Sequence, residues 1–119
     1  MVTTFKLVYV AGPYRGSTPD DVDLNIASAT QVGKLVARLG YYPVIPHLNT
    51  LHFERFAGLP DQFFLDGTIE LMRRCDAVIM CPGWQASSGA RQELEEAHRL
   101  AIPVFYDAYE MSRNFPFGS

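Results

Sequence analysis

Residues 75–94 read CDAVIMCPGWQASSGARQEL. An apolar run, Ala77 to Cys81, is followed by a Pro/Gly turn, two serines, a glycine and the opening of a helix that carries Glu93. A short apolar run bounded by turn residues is the pattern of a parallel strand buried on both faces. In open α/β sheets ligands bind at the carboxyl ends of strands, where such turns lie. This one stretch therefore bears on both the fold class and the place to look for chemistry.

The alternation repeats on either side of it. Lys6 to Val10 reads as a central strand ending at Ala11-Gly12-Pro13. Thr18, Pro19, Asp20 and Asp21 combine an N-cap, a proline at the first helical position and acidic residues in the first turn. The helix they open carries Ile26, Ala29, Val32, Leu35, Val36 and Leu39 at three- and four-residue spacing, and Gly40 ends it. Tyr42 to Ile45 is a second strand. The segment after Pro46-His47-Leu48 has no clear period and reads as a loop packed over something.

Asp61 to Arg74 returns to a helical pattern, and a rotation of roughly 100° per residue puts Phe64, Leu65, Thr68, Ile69, Leu71 and Met72 on one side. Asp66 and Arg73 fall opposite. Ser88 is a candidate cap for the helix running to about Leu100, Ile102 to Tyr106 is the last strand, and Ala108 to Ser119 reads as a patternless, mobile tail. Strands alternating with helices give a single-domain α/β protein. The expected architecture is a Rossmann-like (flavodoxin-like) three-layer fold with a central parallel sheet of four to five strands.

Composition narrows the partners. The 119 residues are 48% hydrophobic and 19% charged with a net charge of −3, and the Lys and Arg residues are scattered, so a nucleic-acid polymer is not the expected ligand. No apolar run approaches the roughly 20 residues of a membrane span, and the amino-terminal residues do not read as a signal peptide. Cys75 and Cys81 lack CxxC spacing and read as reduced, buried thiols of a cytoplasmic protein rather than a disulfide or metal pair. No metal or cofactor is expected, and a small molecule is the expected partner.

With Ala90 at zero on the last long helix, Glu93 falls in the inner stripe with Leu94, Ala97, Leu100 and Ala101, while Glu95, Glu96 and Arg99 point outward. A carboxylate on a buried face is either functional or satisfied by backbone amides or a tyrosine. Ser87, Ser88 and Gly89 at the start of that helix offer an anion site or simple capping. Gly12-Pro13-Tyr14-Arg15-Gly16 forms a second turn at a strand's carboxyl end, whose arginine holds a phosphate or carboxylate, or is merely solvated. His47 lies on the same sheet edge and is structural or functional. Trp84 is a wall stacking on a planar ring or an anchor for a partner subunit.

Taken as an ordered set, VYVAGPYRG, PVIPHL, and CDAVIMCPGW followed by SSGARQELEEA resemble the nucleoside 2-deoxyribosyltransferase-like proteins, and among them an uncharacterised bacterial and phage group, the DUF4406 type. The resemblance spans about residues 6 to 106. Related deoxynucleotide N-hydrolases and deoxyribosyltransferases carry S-x-G-x-x-x-E-L-x-x-A, which Ser87, Gly89, Glu93, Leu94 and Ala97 fill without a gap. The resemblance implies that Glu93 attacks the anomeric carbon of a nucleoside or nucleotide sugar, and that Ser87 and the loop with Arg15 hold a 5′-phosphate. It also implies a homodimer or larger homo-oligomer, for which the loop from Asn49 to Pro60 and Trp84 are candidate contacts.

One departure stands out. Those enzymes carry a second carboxylate eight residues before the aspartate of the third strand, and eight back from Asp76 is Thr68. Asp66, ten back, lies on the outer face, from which a bend at Gly67 would be needed to bring it in. An N-glycosidic hydrolase or transferase thus competes with a nucleotide-binding module that has lost its second carboxylate. A phosphoribohydrolase of the PGGxGTxxE type fits poorly, because Glu93 follows Pro82 by eleven residues rather than eight and the paired glycines and threonine are missing. A purely structural protein would leave Glu93 unexplained.

Overall fold

The computed structural model describes residues 5–55 and 58–115. Four strands, β1 (Leu7–Ala11), β2 (Tyr42–Val44), β3 (Ala77–Met80) and β4 (Val104–Phe105), form one sheet in the order β2-β1-β3-β4. Every pairing is parallel, with Tyr9 opposite Val44 on one side and Val78 on the other. The helices are α1 (Pro19–Arg38), α2 (Pro46–Asn49), α3 (Asp61–Met72), α4 (Ser88–Arg99) and α5 (Ala108–Asn114). Successive strand residues face opposite sides of the sheet. Val8, Val10 and Ile79 therefore pack with Ala29, Val36 and Met111 from α1 and α5, while Tyr9, Ala11, Val78 and Met80 pack with Met72, Ala90 and Ala97 from α3 and α4. The result is the expected three-layer α/β fold, with four strands.

Local chemistry explains where the elements begin. Thr18 and Asp21 form a reciprocal capping box ahead of Pro19, and Gly40, at φ 93°, takes the left-handed conformation that closes α1. Asp76 ties two strand starts together, accepting the Leu7 N–H at 2.7 Å and donating its own N–H to the Leu7 carbonyl at 2.8 Å. β4 is shorter than the apolar run around it because Pro103 has no N–H to give, although its carbonyl accepts from Val78 at 2.9 Å.

Two expectations need correction. The segment from Ala108 is not a mobile tail through its described part: Asp107 caps α5, Met111 is fully buried, and Phe115 packs against Tyr41 and Phe105. Seven residues are too few for a periodic pattern to show, and one fully buried methionine fixes the helix. Residues 116–119 lie outside the described residues. The cap of α4 is Ser87 rather than Ser88: the Ser87 hydroxyl accepts from the Ala90 N–H at 3.2 Å, and Ser88 is the first helical residue. The loop expected from Asn49 to Pro60 contains a 3₁₀ turn at Phe53–Arg55, and Phe56 and Ala57 lie outside the described residues.

Candidate functional site

β1 and β3 are neighbours at the centre of the sheet, and the chain leaves them toward opposite edges. The loops at their carboxyl ends therefore part and leave a crevice, the usual ligand position in open α/β sheets. Gly12 lets the two loops approach: a Cβ there would stand 2.6 Å from the Cβ of Cys81. Gly83, at φ 87°, turns the second loop toward the 3₁₀ turn Trp84–Ala86 and the Ser87 cap. Together with α2 and the start of α3 they enclose a cleft of about 650 Å³.

Glu93 lies at the floor of this cleft and is 6% exposed. The hydroxyl of Tyr9, reaching across from β1, donates to its Oε2. Thr68 on α3 also acts on the pair: its hydroxyl, 3.1 Å from the Leu65 carbonyl, favours the ionised form of both Glu93 and Tyr9. With a single proton, that hydroxyl donates either to the carboxylate or to the Leu65 carbonyl. Burial raises the Glu93 carboxyl from 4.5 to about 7, against the lowering effect of the Tyr9 and Thr68 bonds. Burial and the neighbouring carboxylate push Tyr9 well above its ordinary value, so it remains a donor at neutral pH. Glu93 is thus both held by a tyrosine and presented to a cleft.

The other expected residues divide. Gly12, Tyr14, Arg15, His47, Thr68, Ser87, Ser88 and Gly89 all line the cleft with Glu93. Gly16 does not; it packs on Asp21 at the start of α1. Trp84 does not either: its ring is half-buried, packed on the sheet and tilted against Tyr106 at 5.8 Å, so it is neither a wall of the cleft nor an exposed anchor. Asp66 is exposed, accepts from Gln62 at 2.7 Å and stays outside the cleft. Thr68 occupies the inner position, without a carboxylate.

His47 is 5% exposed, with Nε2 2.8 Å from the Pro13 carbonyl and Nδ1 unpartnered among the described residues. Burial lowers its pKa, opposed by the Pro13 and Gly12 carbonyls. Nε2 therefore carries the proton toward Pro13, leaving Nδ1 as an acceptor. The ring holds the β1 loop from below and meets Tyr14 edge-on at 5.7 Å.

Sequence reasoning missed Tyr9, Asp61, Phe53 and Phe64. Phe53 and Phe64 are perpendicular with centroids 6.4 Å apart and form an apolar wall. Asp61, the first residue of α3, pairs with Arg15 at 2.7 Å. Phe53 lay in a segment without a period, and Phe64, on the inner side of α3, read as ordinary core, whereas strand alternation places Tyr9 on the sheet face that α4 covers. Among the described residues, no group of three or more His, Cys, Asp or Glu could hold a metal ion, and no helix is long and apolar enough to cross a membrane.

Comparison with known proteins gives a family and a fold. The family model described as "Domain of unknown function (DUF7768)" matches residues 6–107, in place of the DUF4406 type that the sequence resembles. Among solved structures, a 2-deoxyribosyltransferase from Bacillus psychrosaccharolyticus, described as a biocatalyst for synthesis of antiviral and antitumoral nucleosides, superposes with a TM-score of 0.58. It is 20% identical, over 82% of this chain and 69% of its own. That likeness establishes a shared fold. No curated protein matches the sequence.

Proposed function

This chain belongs to the DUF7768 family, whose description assigns no activity, and we propose that it cleaves or exchanges the N-glycosidic bond of a nucleoside or nucleoside 5′-monophosphate through Glu93. The observation that carries the reading is a buried carboxylate, held by the Tyr9 hydroxyl, at the floor of an open cleft. A structural carboxylate has no need of a cleft above it. The shared fold with a 2-deoxyribosyltransferase supports the same class of ligand.

In this reading the ionised Glu93 attacks the anomeric carbon, and the C–N bond breaks with its electron pair going to the base, which takes a proton from solvent. A glycosyl ester remains. Water or a second base then attacks the same carbon, the ester C–O bond breaks, the incoming group's proton passes to solvent and the carboxylate returns. Retention of configuration follows from the two displacements. Tyr9 and Thr68 position the nucleophile. The Phe53–Phe64 wall suits the face of a base, and the first amides of α4 beside Ser88 and Gly89 suit sugar or phosphate oxygens.

Thr68 gives a second reading specific support. If the carboxylate that assists the leaving base is gone, the domain binds a nucleotide without turning it over. Chromatographic detection of free base, over a panel of ribo- and deoxyribonucleosides and their monophosphates at about pH 8, tests the first reading. Base release that falls by about a thousandfold or more in Glu93→Gln is the expected result. Thermal stabilisation by a nucleotide with no product from any member of the panel would support the binding module instead.

A further inference from the structure

Among the described residues that line the cleft, Arg15 is the one Lys or Arg side chain. It is already engaged: its Nη2 donates to Asp61 Oδ1 at 2.7 Å, joining the β1 loop to the first turn of α3 across the cleft. Besides the Tyr14 phenol, the other titratable groups on the cleft are Glu93, which adds negative charge, and His47, which burial keeps neutral. The positive charge of Arg15 is cancelled by Asp61, and Glu93 tips the balance to negative as it ionises.

A phosphomonoester brings a charge of about −1.5 to −2 at pH 7. To reach Arg15 it must share the guanidinium with a carboxylate that it repels. The Arg15–Asp61 pair is solvent-exposed, with side chains 51% and 83% accessible, so the bond itself is weak and does not bar the way. The obstacle is the fixed charge of Asp61, which stays at the cleft whichever partner Arg15 takes. A sugar with a free 5′-hydroxyl meets no such repulsion and can use neutral donors at the start of α4.

We infer that Asp61 is a specificity-determining residue that selects neutral nucleosides over nucleoside 5′-monophosphates by cancelling Arg15 at the cleft. This rests on the nucleoside reading of the pocket given above and names the substrate class within it.

The test is calorimetric binding of the four common 2′-deoxynucleosides and their 5′-monophosphates to wild type, Asp61→Asn, Asp61→Ser and the double variant Asp61→Asn/Arg15→Gln. Asparagine and serine are both accepted in the first turn of a helix, so two independent variants guard against a folding defect. Wild type is expected to bind the nucleoside at least as tightly as its monophosphate. Either single variant should shift the ratio toward the monophosphate by on the order of tenfold, the scale of one like-charge contact at a protein surface. The double variant should lose that gain, and about 0.5 M salt should shrink it. A wild-type preference for the monophosphate, or a ratio unchanged in both single variants, overturns the assignment of Asp61 and leaves the pocket reading standing. Binding of no ligand of either kind by wild type overturns the nucleoside reading and this inference with it.

Discussion

Glu93→Gln separates the charge of the carboxylate from its shape, and its effect on folding can be worked out without knowing the substrate. Burial raises the carboxyl from 4.5 to about 7 in the folded protein. In the unfolded chain it titrates near its ordinary value. Between those limits the native state holds a proton that the unfolded state has released, so stability from this group is greatest in acid. It falls as pH rises from about 4.5 and levels off above about 7. The sign is opposite to that of a salt-bridged carboxylate.

Each pKa unit is worth about 1.4 kcal/mol, so the wild type loses roughly 3 kcal/mol through Glu93 between about pH 4 and pH 8. Glutamine does not titrate. Its carbonyl is an acceptor for the Tyr9 hydroxyl, as the Glu93 carboxylate is. All other titrating groups are common to both proteins and cancel in the difference. Urea unfolding at a series of pH values should show the variant gaining on the wild type by roughly 3 kcal/mol as pH rises, on the order of 10 °C in melting temperature. A gap that stays constant from about pH 4 to pH 8 would mean that Glu93 titrates as a solvated group, and the buried-nucleophile reading would fall with it.

Tyr9→Phe removes a donor to the ionised carboxylate, so the Glu93 midpoint should move further up, read by carboxyl-carbon NMR or by the acid limb of base release; an unmoved midpoint would show that the tyrosine does not hold the charge. Thr68→Val should move it the same way by a smaller amount. Met111→Ala should cost about 2–5 kcal/mol in urea unfolding, as for a fully buried methionine, while leaving the Glu93 midpoint where it is. A cost near zero would return α5 to the mobile tail that its sequence suggests.

Much of the site was legible because it lies on periodic elements. Helical rotation alone separates Glu93 from Glu95 and Glu96, and Thr68 from Asp66, and burial follows the same division. Pairings across long stretches of chain were not legible. Tyr9 meets Glu93 across 84 positions and Arg15 meets Asp61 across 46, and no local pattern specifies a partner at that range. Trp84 was misplaced for a related reason: a large aromatic in a turn has two directions open to it, and the choice was made by Tyr106, in a distant segment. Asp61 hid in plain sight, since an acidic residue at a helix start is explained by the helix dipole alone.

The sheet keeps the two packing clusters apart, and that has a consequence for how such a protein can change. Apart from Cys81, which lies against Gly12, the cluster under α1 and α5 is remote from the cleft, and none of its residues lines it. Substitutions that do not share partners combine nearly additively. Tighter packing around Val36, Phe105 or Met111 can therefore build a stability reserve behind the sheet, while Thr68, Asp61 and the Phe53–Phe64 wall vary in front of it. A laboratory selection for new nucleoside preferences would do well to stabilise the back first, because another buried charge beside Glu93 would draw on that reserve at once.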